Sequence, residues 1–306
     1  MTYCVAMRLN AGIVFLADSR TNAGVDQIST FRKLTVFERP GERMLVLMSA
    51  GNLAITQSVR QMICESAEAI SSPNSLWSAK SMFDAARSVG DAVRAVYRND
   101  AAALQDAGIE FNCSFLLGGQ IGGEAVRLFQ VYAAGNFIEA TPENPYFQIG
   151  ESKYGKPIVD RVITPETSLG EAAKCALISM DSTLRSNISV GLPLDLLVYE
   201  TGSLRVTKFV RIDETNEYMQ MIRATWGARL RQVFSEIPDP AWREGPAPNG
   251  EHVLESAESA PVRVPPPANL GKSPGADRSS EPNPVEAVVS PIQLVAHQQR
   301  NKDNPR

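Results

Sequence analysis

The order of the expected strands and helices is the feature that most constrains the possible fold of this chain. Pairs of strands alternate with pairs of helices. Residues 3–9 alternate between two faces, and a turn at 10–12 leads into the apolar run 13–17, so a hairpin is predicted at the start. Strands at 33–37 and 44–48 precede helices over 53–70 and 78–106. This order argues against a doubly wound fold. It predicts an α+β chain in which two antiparallel sheets pack face to face and helix pairs cover their outer sides.

The second half of the chain repeats this order. Strands are expected at 112–117 and 126–133, with a further pair across Gly135-Asn136 that ends at 147–150. A short helix over 154–163 and a longer one over 171–188 follow, then a hairpin of 194–199 with 204–212 and a helix over 216–234. Residues 21–30 are interpreted as a loop, and Gly118-Gly119 and Gly122-Gly123 are interpreted as flanking a turn region. Tyr97 is interpreted as part of the buried stripe of the second helix.

Composition changes at Pro238. Residues 238–306 hold most of the chain's 20 prolines together with many polar residues, and they show no apolar periodicity. Such a segment cannot bury enough surface to offset the entropy of ordering it. The sequence therefore predicts a folded domain over 2–237 and a disordered, proline-rich tail over 238–306.

Charge and hydropathy exclude several classes of protein. The net charge is −4, so no basic field favours nucleic acid. No apolar run approaches the roughly 18 residues of a membrane span, and residues 1–8 lack the features of a signal peptide. The four cysteines have no paired spacing and lie in apolar surroundings. We therefore expect a cytoplasmic protein with reduced cysteines and no membrane or nucleic-acid partner.

Histidine is missing from the part of the chain that is expected to fold. The two histidines are His252 and His297, both in the tail. A Ser-His-Asp or Cys-His hydrolase and a histidine-based zinc site are therefore excluded from residues 1–251. If this chain is an enzyme, its base is a lysine, a carboxylate or an amine.

Thr2 is the first candidate nucleophile. A small residue after Met1 predicts that Met1 is removed, which places a hydroxyl and a free α-amine on the same residue. The reference pKa of an α-amine is about 8, so a useful fraction is neutral near pH 7–8. An N-terminal threonine can thus be activated by its own amine. Many proteins begin with Met-Thr, so this dipeptide alone predicts nothing.

Three further residues supply what such a nucleophile needs. Lys33 opens a strand, and its charge would lower the pKa of a nearby hydroxyl and amine. Asp18, at the end of another strand, can pair with that lysine, since an unpaired charge there is costly. Gly51 follows a strand and precedes a helix, where its N–H suits an oxyanion and its lack of a side chain admits a carbonyl.

These residues resemble the proteasome β-subunit group of N-terminal nucleophile hydrolases. Within that group, Met1-Thr2-Tyr3-Cys4-Val5, residues 18–26 and residues 28–33 resemble the bacterial ancestral β-subunit family, Anbu. The segments 179–183 and 191–195 fit the same family, and the resemblance covers roughly residues 2–237. It implies a four-layer αββα sandwich and the chemistry of a threonine peptidase or amidase.

The resemblance also implies roles for residues. Thr2 is the nucleophile with its amine as the base, Lys33 tunes that pair, Asp18 holds Lys33, and the Gly51 N–H receives the oxyanion. Asp181 matches an aspartate that supports the N-terminal amine. A supporting serine falls on Glu151 or Ser152, with Ser152 slightly favoured, and a second supporting serine is replaced by Leu184.

The family implies a peptide or unfolded-protein substrate and a homo-oligomer, either a ring or an open helical assembly. A separate ATPase is a possible partner, because the sequence has no phosphate-binding GxxxxGK[ST] motif of its own. No cofactor or metal is expected. Two alternatives stay open: an amidase acting on a small amide, and a non-catalytic ring scaffold.

Overall fold

The computed structural model describes residues 1–22, 28–68 and 75–241, and within them it is a mixed α+β arrangement with antiparallel sheets and five α-helices. The strands are β1 Tyr3–Leu9, β2 Gly12–Asp18, β3 Arg20–Asn22, β4 Ile28–Thr30, β5 Leu34–Arg39, β6 Arg43–Gly51, β7 Cys113–Ile121, β8 Arg127–Val131, β9 Phe137–Glu139, β10 Tyr146–Gly150, β11 Leu194–Glu200 and β12 Lys208–Ile212. The helices are α1 Leu53–Glu68, α2 Met82–Asp106, α3 Lys156–Val162, α4 Leu169–Ser186 and α5 Glu217–Glu236, with a short 3-10 turn at Ser152–Tyr154. Among these residues, the main unit spans 1–227, and a second unit starts at Ala228 and holds the end of α5.

The first sheet has the strand order β10-β1-β2-β11-β12, and all neighbours are antiparallel. β1 lies between β10 and β2, with Tyr3 opposite Gly150 and Cys4 opposite Ala17. This register places the start of the chain beside the end of β10 and the end of β2. Strand pairing therefore makes Thr2 and Asp18 neighbours.

The second sheet has the order β5-β6-β7-β8-β9, also antiparallel throughout. The pairing of β6 with β7 runs to the last residue of β6, where Gly51 lies opposite Cys113. Leu34 lies opposite Met48, and the Ser49 N–H donates to the Lys33 carbonyl at 3.0 Å. The pairing thus brings Lys33 and Gly51 to the same end of this sheet.

The apolar side chains form three buried clusters. One joins β1, β2 and β11 to α4 and to Met219 and Ile222 of α5, and a second joins β6 and β7 to α1 and α2. The third contains residues of both sheets, such as Phe15 and Leu116. Alternation along β1 divides its side chains between the first and third clusters, as the sequence predicts.

Two predictions about loops are wrong. Part of 21–30 is paired, since Arg20–Asn22 and Ile28–Thr30 form a two-stranded ribbon. Gly118 and Gly119, expected to lie beyond the strand and flank a turn, lie inside β7, and the turn follows at 122–123. A Cβ at Gly118 would lie 2.9 Å from the Phe15 ring, so this glycine permits the close approach of an aromatic side chain from the other sheet.

The second helix also differs from its prediction. It begins after Ser81, whose side chain accepts a hydrogen bond from the Asp84 N–H at 3.0 Å and caps the helix. Tyr97 is 51% exposed and packs edge-on against Phe111, while Val96 is buried. The prediction that Tyr97 is a core residue is therefore wrong, and its neighbour Val96 is the buried residue at this turn of the helix.

Most of the expected tail, from residue 242 onward, lies outside the described residues. Within the part of the chain that is described, no helix is long and apolar enough to cross a membrane.

Candidate active site

Asp18 and Lys33 form a buried ion pair next to the start of the chain. The Lys33 Nζ lies 2.7 Å from Asp18 Oδ1, and their side chains are 7% and 0% exposed. The Tyr3 N–H donates to the same carboxylate oxygen at 3.0 Å, and the Gly191 N–H lies 3.4 Å from the other. Burial raises the pKa of Asp18, and the ammonium of Lys33 and these two N–H groups oppose it.

Lys33 also donates to two carbonyl oxygens, of Arg20 at 2.6 Å and of Met1 at 3.3 Å. Three acceptors satisfy the three donors of an ammonium, so the position of Lys33 is fixed. The Met1 oxygen belongs to the peptide group whose nitrogen becomes the α-amine of Thr2 when Met1 is removed. The lysine charge therefore lies beside the expected position of that amine.

The amine of Met1 shows the electrostatics of this region. Its pKa is lowered, first by burial and then by the charge of Lys33, while Asp18 and Glu151 raise it. A lowered pKa increases the neutral fraction of an amine near neutral pH, which is the form that accepts a proton. The surroundings thus favour a base at the start of this chain.

A cavity of about 480 Å³ opens beside this ion pair. It is lined by Met1, Thr2, Thr21, Phe31, Arg32, Lys33, Ser49, Ala50, Gly51, Asn52, Leu53, Thr56, Gln57 and Arg60. We call it the Thr2 cavity. Gly51 is exposed here with φ +116°, and a Cβ would lie 2.5 Å from the Asn112 carbonyl oxygen, so only glycine fits this strand end.

The end of β10 holds Thr2 in place. The Glu151 N–H donates to the Thr2 carbonyl at 2.7 Å. Gly150 precedes it with φ +83°, and a Cβ there would lie only 1.9 Å from the Thr2 oxygen. The backbone at the start of β1 is therefore held on one side by the end of β10 and on the other side by Asp18 at the end of β2.

Ser152 and Asp181 lie in other surroundings. Ser152 lines a separate cavity with Tyr146 and Lys156. Asp181 is buried, and its two carboxylate oxygens accept from Arg185 at 3.1 Å and Arg223 at 3.3 Å. Thr2, Asp18, Lys33 and Gly51 are thus brought together, while Asp181 connects α4 to α5.

Sequence reasoning missed several partners of the site. Glu151 was only one of two alternatives, yet its backbone contacts Thr2 and its charge acts on the amine. Gly191 and the Arg20 carbonyl carry no side-chain signal, because they act through their backbone. Among the described residues, no group of three His, Cys, Asp or Glu could hold a metal ion.

Several solved structures are similar to this chain in sequence and fold. "Anbu (ancestral beta-subunit)" from Yersinia bercovieri is 53% identical, covers 79% of this chain and 100% of its own, and has a TM-score of 0.73. The "Anbu (Gly-1) mutant" from Hyphomicrobium sp. strain MC1 is 50% identical, with coverages of 79% and 100% and a TM-score of 0.74. The "Helical Assembly of the Anbu Complex" from Pseudomonas aeruginosa is 48% identical, with coverages of 78% and 98% and a TM-score of 0.74.

No protein-family model matches this chain, and no curated protein sequence is significantly similar to it.

Proposed function

Because this chain belongs to the Anbu family, the ancestral β-subunit group with a proteasome β-like fold, we propose that it is a threonine-type amide hydrolase. One observation carries the proposal. Thr2, Lys33 and Gly51 line one cavity, and the lysine is held by a buried aspartate. A hydroxyl, a cation that lowers nearby pKa values and an exposed glycine at a strand end are the parts that the reaction needs.

The proposed reaction has two steps. After Met1 is removed, the Thr2 hydroxyl attacks the substrate carbonyl carbon and its proton passes to the α-amine. The Gly51 N–H donates to the oxyanion. The protonated α-amine then gives its proton to the leaving nitrogen as the amide bond breaks, which leaves an acyl ester on Thr2, an amine product and a neutral α-amine. Water then attacks the ester, which releases the acid and restores the hydroxyl. Lys33 keeps the amine deprotonated, and Asp18 holds Lys33.

Glu151, rather than Ser152, is proposed to assist the amine. Its N–H contacts Thr2 and its charge acts on the N-terminal amine, whereas Ser152 lines a different cavity. Asp181 is proposed to act indirectly, since it is engaged by two arginines and anchors α4 against α5.

The architecture and assembly follow from the family. Three buried clusters, one of them shared by both sheets, support an αββα order of four layers. The 79% of the chain that the Yersinia structure covers supports a peptidase domain over roughly 2–237. A helical assembly of the Pseudomonas protein supports the proposal that this chain also forms a homo-oligomer.

The test is the variant Thr2→Ala. We expect its hydrolysis of peptide amides to fall by about 10³-fold or more, because the nucleophile is lost. Thr141→Ala, at an exposed threonine outside the Thr2 cavity, is the matched control and should keep its activity. Undiminished hydrolysis by Thr2→Ala removes the proposal, and turnover of small amides but not peptides would instead favour an amidase.

A further inference from the structure

The charged side chains of the Thr2 cavity all have the same sign. Arg32, Lys33 and Arg60 line it, and no aspartate or glutamate is among its described lining residues. They come from two separate parts of the chain, since the adjacent Arg32 and Lys33 precede β5 and Arg60 lies on α1. Like charges in a concave site focus a field that attracts the opposite charge.

Two of these three cations lack a close ion-pair partner among the described residues. Asp18 pairs with Lys33. Arg32 and Arg60 form no ion pair within 4.0 Å in the described ranges, and both are exposed. Arg32 does act at longer range on buried Asp195, whose pKa is raised by burial and lowered by Arg32. Arg60 also borders an adjoining cavity that includes Asp100.

A single arginine at the rim of a cavity is most often a solvated surface charge. Two arginines from different elements around the same nucleophile are a stronger signal. A guanidinium presents donors in a fixed fork that fits a carboxylate, and hydrogen bonds between charged partners are about twice as strong as neutral ones. Phe31 and Leu53 provide apolar surface in the same cavity for the methylene groups of a substrate side chain.

We propose that the Thr2 cavity selects substrates with an acidic side chain on the residue that supplies the attacked carbonyl, and that Arg32 and Arg60 bind this carboxylate. This inference rests on the proposed function, because it assigns the specificity of the same site. It concerns binding, so it can be tested without turnover.

The experiment measures equilibrium binding to the full-length Thr2→Ala protein, which lacks the nucleophile. Three short peptides are compared: one with glutamate at the selected position and both ends blocked, its glutamine twin, and a glutamine peptide with a free C-terminal carboxylate at that position. The first pair differs only in one charge. The third separates a side-chain carboxylate from a terminal one.

We expect the glutamate peptide to bind about tenfold more tightly than its glutamine twin, as a charge-assisted pair predicts. Arg60→Ala and Arg32→Ala should each reduce this ratio several-fold, and the double variant should abolish it. Arg98→Ala, at an exposed arginine of α2 outside the Thr2 cavity, should leave the ratio unchanged. The preference should also weaken as salt rises.

Equal binding of the two blocked peptides overturns the inference, and so does a preference that survives loss of both arginines. Tighter binding of the free C-terminal carboxylate than of the glutamate side chain would overturn the assignment to a side chain. None of these outcomes bears on Thr2 as the nucleophile, which is tested by comparing hydrolysis by the wild-type and Thr2→Ala proteins. If that comparison overturned the proposed function, the binding experiment would still show whether Arg32 and Arg60 select a carboxylate.

Discussion

At the scale of single residues, the site depends on how charges are arranged around one amine. Lys33 fills all three of its donor positions with Asp18, Arg20 and Met1, so its charge stays beside the start of the chain. Burial and this charge lower the pKa of the Met1 amine. We expect the same causes to act on the Thr2 amine, which would lie next to the same ammonium.

A pH profile tests the role of Glu151. Its charge raises the pKa of the N-terminal amine, so Glu151→Gln should lower that pKa further. The amine must be neutral to accept a proton, so activity rises with pH through its pKa. The acid limb of kcat/KM should therefore move to lower pH in Glu151→Gln. The measurement is the pH dependence of peptide hydrolysis.

The control for this profile is Glu166→Gln, which removes an exposed charge outside the Thr2 cavity. It should leave the acid limb in place. A limb that stays fixed or moves to higher pH in Glu151→Gln would contradict the role of Glu151 at the amine.

Residue types predicted which side chains form the centre of the candidate site, and the structure places Thr2, Asp18, Lys33 and Gly51 together, but residue types did not predict what surrounds them. The missing histidines and the pattern of Thr2, Asp18, Lys33 and Gly51 were readable because each side chain has a chemical reason to be there. The Gly191 N–H and the Arg20 carbonyl were not, since any residue carries the same backbone groups. Glu151 could have been preferred by noting that it follows Gly150 directly at the end of a strand that pairs with β1.

At the scale of elements, the end of β10 holds Thr2, the proposed nucleophile. Gly150 and Gly41 have nearly the same positive φ, +83° and +79°, but only Gly150 has a close neighbour, the Thr2 carbonyl oxygen. Alanine at either site should cost about 1–2 kcal/mol for the backbone conformation. Gly150→Ala must in addition displace Thr2, which should lower activity by about 100-fold.

Gly41→Ala is the matched control, because no atom lies within 4 Å of its added Cβ. Chemical denaturation gives the two stabilities, and peptide hydrolysis gives the two activities. Equal activities for the two variants would mean that β10 does not position Thr2.

The strands were predicted better than the turns between them. Alternation identified β1 and a continuous apolar run identified β2, because each strand has one buried face toward a helix and one toward the other sheet. Glycine was misleading at 118–119, where it serves close packing inside a strand: Gly118 lies against the Phe15 ring and Gly119 against the Met44 carbonyl. The ribbon of β3 and β4 has only three residues a strand, too few for a pattern to appear.

At the scale of the whole molecule, helix α5 bears on assembly. Leu230, Val233 and Phe234 of α5 and Ile237 directly after it each lie three or four residues from another of the four, and all are at least half exposed, with Phe234 at 78%. Adjacent exposed apolar side chains are typical of a protein interface. We expect a second copy of this chain to cover them, so Phe234→Ser should shift the protein toward smaller species in light scattering.

Val162→Ser, at an isolated exposed valine, is the control and should leave the mass distribution unchanged. An unchanged distribution for Phe234→Ser, or a wild-type protein that is monomeric at micromolar concentration, would contradict this account of the assembly. Neither the sequence nor a single chain shows which surfaces meet, because an interface is a property of two copies.

The mass of the N-terminal peptide tests the central claim most directly. A peptide epoxyketone reacts with a hydroxyl and an α-amine on the same residue, so it requires Thr2 to be the mature N-terminus. After treatment of the full-length protein, we predict a peptide that lacks Met1 and carries the adduct on Thr2. A peptide that retains Met1 and carries no adduct would contradict the claim that Thr2 is the nucleophile.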